Sequence, residues 1–167
     1  MGTMSSVIEL EDSLSPVRHR APALVGTDVD LGLLTDLTGF SVKLVWILGH
    51  GALAREFGDT GITPHRFSML ELIGRNPGLQ QTQLAAALAL TRPATTLAVD
   101  FWEDRGCVER RKIAGDRRSF GVYPTPHGEK ELERLRRLVR KADLALTADL
   151  SEAETQELRR LLRKIHR

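Results

Sequence analysis

The sequence predicts a mainly α fold with a small β wing: a winged helix-turn-helix with N- and C-terminal dimerisation helices. Three observations predict it. Leu and Ala supply most of the apolar side chains, while aromatic residues make up only 5% of the chain, a mixture that favours helices over sheets. Two short helical stretches, Gln81 to Leu88 and a second one opening at Thr91, are joined through Leu90, the spacing of a helix-turn-helix. A basic hairpin follows at once. Cys107 to Ile113 reads as a strand, Ala114-Gly115-Asp116 as a turn, and Ser119 to Tyr123 as the returning strand.

Composition bounds the function. With 167 residues, 41% of them apolar and 28% charged, the chain has the size and make-up of one globular domain with a real core. The formal net charge is only +2, so the chain as a whole does not announce a polyanionic partner. The distribution does. Between Arg105 and Arg118, six basic residues stand against Glu109 and Asp116, a local stripe of the kind that meets phosphates. A solvated charged face would show the same stripe. The single cysteine, Cys107, excludes an internal disulfide and a cysteine-rich zinc site. No apolar run approaches the roughly 20 residues of a membrane span, and the N-terminus lacks the charged head and apolar core of a secretory signal. A cytoplasmic setting fits.

Residues 1–29 mix Ser, Pro, Gly and charges without periodicity and read as an arm or an extra short segment. A long helix is expected from Asp30 to Glu56, its apolar stripe widened by Val42, Trp46 and Ile47. A helix apolar on more than one face buries more than one face, here against its own core and a partner chain. Gly58 to Gly61 breaks it. Thr63-Pro64 opens the next helix as N-cap and first residue, with Phe67, Leu70 and Ile73 inward, and Asn76-Pro77-Gly78 ends it. In the helix capped by Thr91, Thr95, Ala98, Val99 and Trp102 share one face and Gly106 stops it. A helix from Pro126 to Ala148 follows. A last one opens at Ser151 with Glu154 three residues on, a capping box.

In this order the elements resemble the MarR family of multiple-antibiotic-resistance type regulators, over about Asp30 to Ile165. The residues that carry the resemblance are Leu84-Ala85 with Leu88, Arg92 through Asp100, Glu103 through Arg110, Asp116-Arg117-Arg118 with Thr125 and Gly128, and Leu150 through Glu154. The resemblance implies a cytoplasmic, nucleoid-associated bacterial homodimer on a pseudo-palindromic operator in double-stranded DNA. Residues 30–58 and 126–167 would form the dimerisation helices and 62–125 the DNA-binding lobe of a single domain, 30–167. No cofactor is expected, and the scattered histidines and single cysteine offer no metal-ligand spacing. DNA contacts are expected from Arg92, Pro93, Ala94, Thr96, Leu97, Arg110, Asp116, Arg117 and Arg118. Arg118 would enter the minor groove, where narrow grooves attract arginine, and Asp116 would hold the wing. There are departures. Family recognition helices often carry Thr-Val-Thr-Arg where this chain has Ala94-Thr95-Thr96-Leu97. Leu97 cannot donate to guanine but can touch a thymine methyl, and Arg92 would serve phosphate. Phe101 lies off the buried stripe, and Pro124 stands where the second wing strand is expected to end early.

Many members of this family are released from DNA by small molecules, often aromatic acids. Trp46 and His50, four apart on the first helix, with Arg66 and Phe67 on the second, offer aromatic walls, an imidazole and a cation to such an effector; packing and ordinary surface polarity account for the same residues. Cys107 sits at the start of a wing strand and is expected to be inert. The five histidines are scattered, and neither a phosphate loop nor a nucleophile motif occurs, so catalysis is not expected. The rival is a winged-helix module that binds protein with weak or no DNA binding, distinguishable by the salt dependence that phosphate contacts impose.

Overall fold

The computed structural model describes residues 30–113 and 116–165, with residues 116–118 by backbone alone. The arm at 1–29 and the tip at Ala114–Gly115 lie outside them. A 3-10 helix, Gly32–Asp36, precedes α1, Thr38–Phe57. One continuous helix from Asp30 was expected. The break has a local cause: Gly32 takes φ +51, Asp30 Oδ1 accepts from Gly32 N at 2.8 Å, and Thr35 Oγ1 donates to Gly32 O at 2.9 Å. Short polar side chains here satisfy backbone groups that a continuous helix would use.

Gly58 and Gly61, both at positive φ, bracket the 3-10 turn Gly58–Thr60. Then α2 spans Pro64–Arg75, and Thr63 Oγ1 accepts from Arg66 N at 3.2 Å as the expected cap. The rest follows as β1 (Leu79–Gln80), α3 (Gln81–Leu88), α4 (Arg92–Glu103), β2 (Val108–Ile113), β3 (Asp116–Pro124), α5 (Pro126–Leu146) and α6 (Glu152–Ile165).

The sheet has the order β1-β3-β2, antiparallel throughout. The sequence gives no sign of β1, because two residues carry no period. Its pairs are Leu79 with Val122 and Gln80 with Gly121. They tie the entry of α3 to the wing. Gly121 allows this approach, since a Cβ there would lie 2.7 Å from Gly78 O. β3 is longer than the expected Ser119 to Tyr123 and keeps Pro124, opposite Val108. The missing proline N–H costs nothing at the strand end, because the next bond runs from Thr125 N to Cys107 O at 3.0 Å.

Residues up to Gly51 and residues from Ala52 form two compact units. In the second unit, one core gathers Met69, Leu70 and Ile73 of α2, Leu84 of α3, Val99 and Trp102 of α4, Val108 and Val122 of the wing, and Leu132 and Leu135 of α5. Trp102 is 0% exposed, and its Nε1 donates to Arg66 O at 2.7 Å. It is core filler with its one polar atom satisfied. At the start of α5, Thr125 Oγ1 accepts from Gly128 N at 3.0 Å and donates to Gly106 O at 2.6 Å. A Cβ on Gly128 would fall 1.8 Å from Cys107 O, so α5 and the wing root touch backbone to backbone. α6 opens with Ser151 and Glu154 in the expected reciprocal cap.

Candidate nucleic-acid interface

The face of α4 turned away from the core is set by helical spacing. Thr95, Ala98, Val99 and Trp102 are buried, which leaves Arg92, Pro93, Thr96 and Leu97 exposed and Ala94 half-buried. Thr91 Oγ1 caps the helix through Ala94 N at 3.4 Å. Leu97 is 66% exposed, a large apolar side chain between Thr96 and the exposed start of the helix at Arg92 and Pro93. Arg92 and Lys112 have no ion-pair partner among the described residues. The wing strands follow directly, and Asp116, Arg117 and Arg118 open β3, their side chains outside the described residues.

Arg110 stands apart from the exposed cations. Its Nη2 bonds Asp100 Oδ1 at 2.5 Å, its Nη1 bonds Glu103 Oε2, and its backbone N donates to Glu103 Oε1 at 3.3 Å. Gln81 closes the network. With its amide nitrogen on Thr96 Oγ1 at 3.1 Å, its oxygen accepts from Arg110 Nε and Nη2 at 3.0 Å each, the orientation that satisfies both ends of the amide. So α3, α4 and β2 are locked by one half-buried guanidinium. Two acids at i and i+3 on a helix that leads into a basic strand were the available signal for this clamp. Gln81 carried none, since its role arises only when α3 and α4 cross.

Arg111 pairs with Glu109 and lies over the Tyr123 ring, 4.8 Å from its centroid. At the far end of α4, Phe101 carries two guanidinium groups, Arg66 at 3.9 Å and Arg105 at 3.5 Å from the ring centroid. Its edge meets Trp102 in a T-shaped contact at 5.0 Å. Arg66 is thereby engaged, and Phe67 faces Phe57 with ring centroids 6.4 Å apart. In the other unit, Trp46 and His50 form a tilted ring pair at 5.3 Å, and Trp46 is 65% exposed. Within the first unit Trp46 thus pairs with His50, and within the second Arg66 pairs with Phe101 and Phe67 with Phe57.

Cys107 is buried, and burial followed by the nearby Glu131 charge pushes its thiol pKa up. Its Sγ donates to Arg105 O at 3.8 Å. Among the described residues, no group of three His, Cys, Asp or Glu side chains is arranged to hold a metal ion, and no helix is long and apolar enough to cross a membrane.

A helix-turn-helix whose second helix bears an exposed face, braced against a basic two-stranded wing, defines a winged-helix DNA-binding protein. Comparison with known proteins gives the family. The MarR family model matches residues 60–119. The putative transcriptional regulatory protein for the hcr operon of Thauera aromatica is 33% identical over 137 residues, covering 81% of this chain and 82% of that one. Among solved structures, the transcriptional repressor CouR bound to a 23-mer DNA duplex superposes with a TM-score of 0.79 at 30% identity, covering 84% of this chain and all of that one. The Mycobacterium tuberculosis MarR family protein Rv2887 in complex with salicylic acid gives 0.64 at 26% identity, covering 77% and 96%. The chain belongs to the MarR family, whose members are transcriptional regulators and not enzymes.

Proposed function

We propose that the protein acts as a homodimeric repressor on a pseudo-palindromic operator, with α4 in the major groove and the wing on phosphates and the adjacent minor groove. The observation that carries this is the exposed α4 face locked to the wing through Arg110. Arg92 serves phosphate, Pro93 and Ala94 shape the helix entry, Thr96 reaches base edges, and Leu97 meets a thymine methyl. On the wing, Arg117 and Arg118 take phosphate and minor groove, and Asp116 holds the turn. Arg110 works from behind the contact surface, because its guanidinium is already spent on Asp100, Glu103 and Gln81.

Dimerisation is assigned to residues 30–58 and 126–167 and DNA binding to residues 62–125. Supporting the first, Leu158, Leu161 and Ile165 make an exposed apolar row on α6, and Leu33 and Trp46 are exposed in the N-terminal unit. The place of action is the bacterial cytoplasm at the nucleoid, and no catalytic step is assigned. A small aromatic acid is the effector class we infer. A solved relative carries salicylic acid, and Trp46 with His50 presents an open ring pair here. Trp46 and His50 carry this reading, while Arg66 lies on Phe101 beside Arg105 and Phe67 packs against Phe57.

Selection of duplexes from a random pool by the wild-type protein, followed by binding of Arg118→Ala, tests the central claim. Enrichment of inverted repeats with half-sites about one helical turn apart, and loss of binding in the variant, is the expected result. Binding insensitive to salt and to sequence would instead identify a protein-interaction module.

A further inference from the structure

The guanidinium pair on Phe101 belongs to neither the base-reading face nor the Arg110 network. Arg66 Nη1 donates to Gly61 O. Arg105 donates to Thr60 O at 3.1 Å and to Phe101 O at 3.4 Å. All these acceptors are neutral. Asp59 and Asp104 are neighbours in sequence, yet among the described residues no carboxylate pairs with either arginine. A Cβ on Gly61 would lie 3.6 Å from Arg66 Nη1, 3.6 Å from the Phe101 ring and 3.9 Å from Arg105 Nη2, so the three groups converge on one point. Two cations are thus fixed in place by backbone carbonyls and a ring, without a counter-charge. Of about five N–H donors on each guanidinium, most remain unused. Burial and the charge of Arg105 both press the Arg66 pKa downward, a strain that an anion would relieve.

The pair has a definite place on α4. At about 100° per residue, Phe101 lies about 40° to one side of Leu97, and Arg105 follows just past the end of α4 on the same ring. Asp100 and Glu103, which hold the wing through Arg110, lie about 60° and 120° to the other side. A helix in a major groove about 12 Å wide has a phosphate wall on each flank. The wing occupies one. Resting on the DNA-binding reading above, we propose that Arg66 and Arg105, planed on Phe101, form a phosphodiester clamp that grips the DNA strand on the flank of α4 opposite the wing. It adds affinity without sequence preference, which suits a recognition helix whose central residue, Leu97, has no hydrogen bond to offer a base.

The test is the salt dependence of affinity, measured by fluorescence anisotropy on the duplex that wild type selects and on a scrambled duplex. The proteins are wild type, Arg66→Gln/Arg105→Gln and Phe101→Leu, each checked for folding by thermal melting. Each phosphate contact adds about 0.9 to the slope of log K against log salt. The double variant should bind both duplexes at least tenfold more weakly at physiological salt. Its slope should flatten by about 2 per dimer if each pair holds one phosphate, or by about 4 if each arginine takes its own. Phe101→Leu keeps both charges but loses the ring that orients them, and should fall between. A folded double variant with the wild-type slope overturns the proposal. So does a double variant that loses calorimetric binding of salicylate or inorganic phosphate while its DNA slope stays intact, which would assign the pair to a small anion. Failure of wild type itself to enrich any duplex at low salt would sink the DNA-binding reading, and is distinguished by affecting Arg118→Ala and the clamp variants alike.

Discussion

Two aromatic neighbours, Phe101 and Trp102, show how far a single residue can be read from its spacing. Trp102 shares a helical stripe with Thr95, Ala98 and Val99, and its burial follows from that stripe alone. Phe101 falls between the buried and exposed faces, where periodicity assigns nothing; its partners come from 35 residues upstream and from the next helical turn. Cys107, expected at the start of a wing strand, lies one residue before β2. Its thiol is buried and held in the protonated form, and the thiolate is the nucleophile. Native protein at pH 8 should therefore resist alkylation by iodoacetamide over hours and react within minutes once denatured. Peroxide should leave DNA binding unchanged in wild type and in Cys107→Ser alike. Rapid native alkylation, or a peroxide effect that vanishes in Cys107→Ser, would show an accessible, functional thiol.

Among the elements, α2, α4 and α6 were legible because each opens on its own cap, Thr63, Thr91 and Ser151, with Gly58, Gly61 and Gly106 as breaks. What remained hidden was long-range. β1 pairs as it does because Gly121 lets its backbone meet that of Gly78, and the length of β3 depends on its partner strands. The Arg110 clamp is of the same kind, since its acids on α4 meet it only once the chain has turned back at Gly106. Charge-assisted bonds of this sort contribute about 1–3 kcal/mol, less where solvent screens them. Asp100 and Glu103 are each more than a third exposed, so Arg110→Ala should cost about 1–2 kcal/mol of stability in urea melts. Arg118→Ala should leave the melt unchanged while weakening DNA binding. A stable Arg110→Ala protein with a flattened salt slope would instead place Arg110 on the DNA.

A second tie between elements responds to pH. Glu71 of α2 accepts from Arg136 of α5 at 2.7 and 3.0 Å, and this bond, with smaller help from Arg75, holds its carboxyl below the usual carboxylate range. A carboxylate whose pKa is lower folded than unfolded stabilises the fold above its unfolded pKa, and that contribution is lost as pH falls through the folded value. Glu71→Gln should therefore be less stable than wild type at pH 7, and the two melting curves should converge as the pH drops below the carboxylate range. A constant gap down to acid would mean that the bond does not couple to ionisation.

At the scale of the whole molecule, the sequence spoke most clearly about what one chain cannot do alone. Leu158, Leu161 and Ile165 recur at helical spacing on α6, yet no residue of that helix is buried among the described residues, and Ile165 is 69% exposed. α6 is held to α5 through the exposed pair of Arg159 with Asp143 at 2.6 Å, and exposed pairs contribute little. An apolar row left open along a capped, well-formed helix is accounted for if a second copy covers it, and two-fold symmetry would bury the row twice. Leu158 and Leu161 are already more than half buried, so each contributes about 1 kcal/mol of the about 1.5–3 kcal/mol of a full burial, four times over in the dimer. Replacing Leu158 and Leu161 by Glu on both copies should then weaken association by about 4 kcal/mol or more, a thousandfold in Kd. Sedimentation at micromolar concentration would show monomer for the variant and dimer for wild type, with far-ultraviolet circular dichroism unchanged because the core around Trp102 is intact. DNA affinity should fall with the dimer, since one α4 can reach only one half-site. A variant that stays dimeric would move the interface off α6 and leave its apolar row to a different partner.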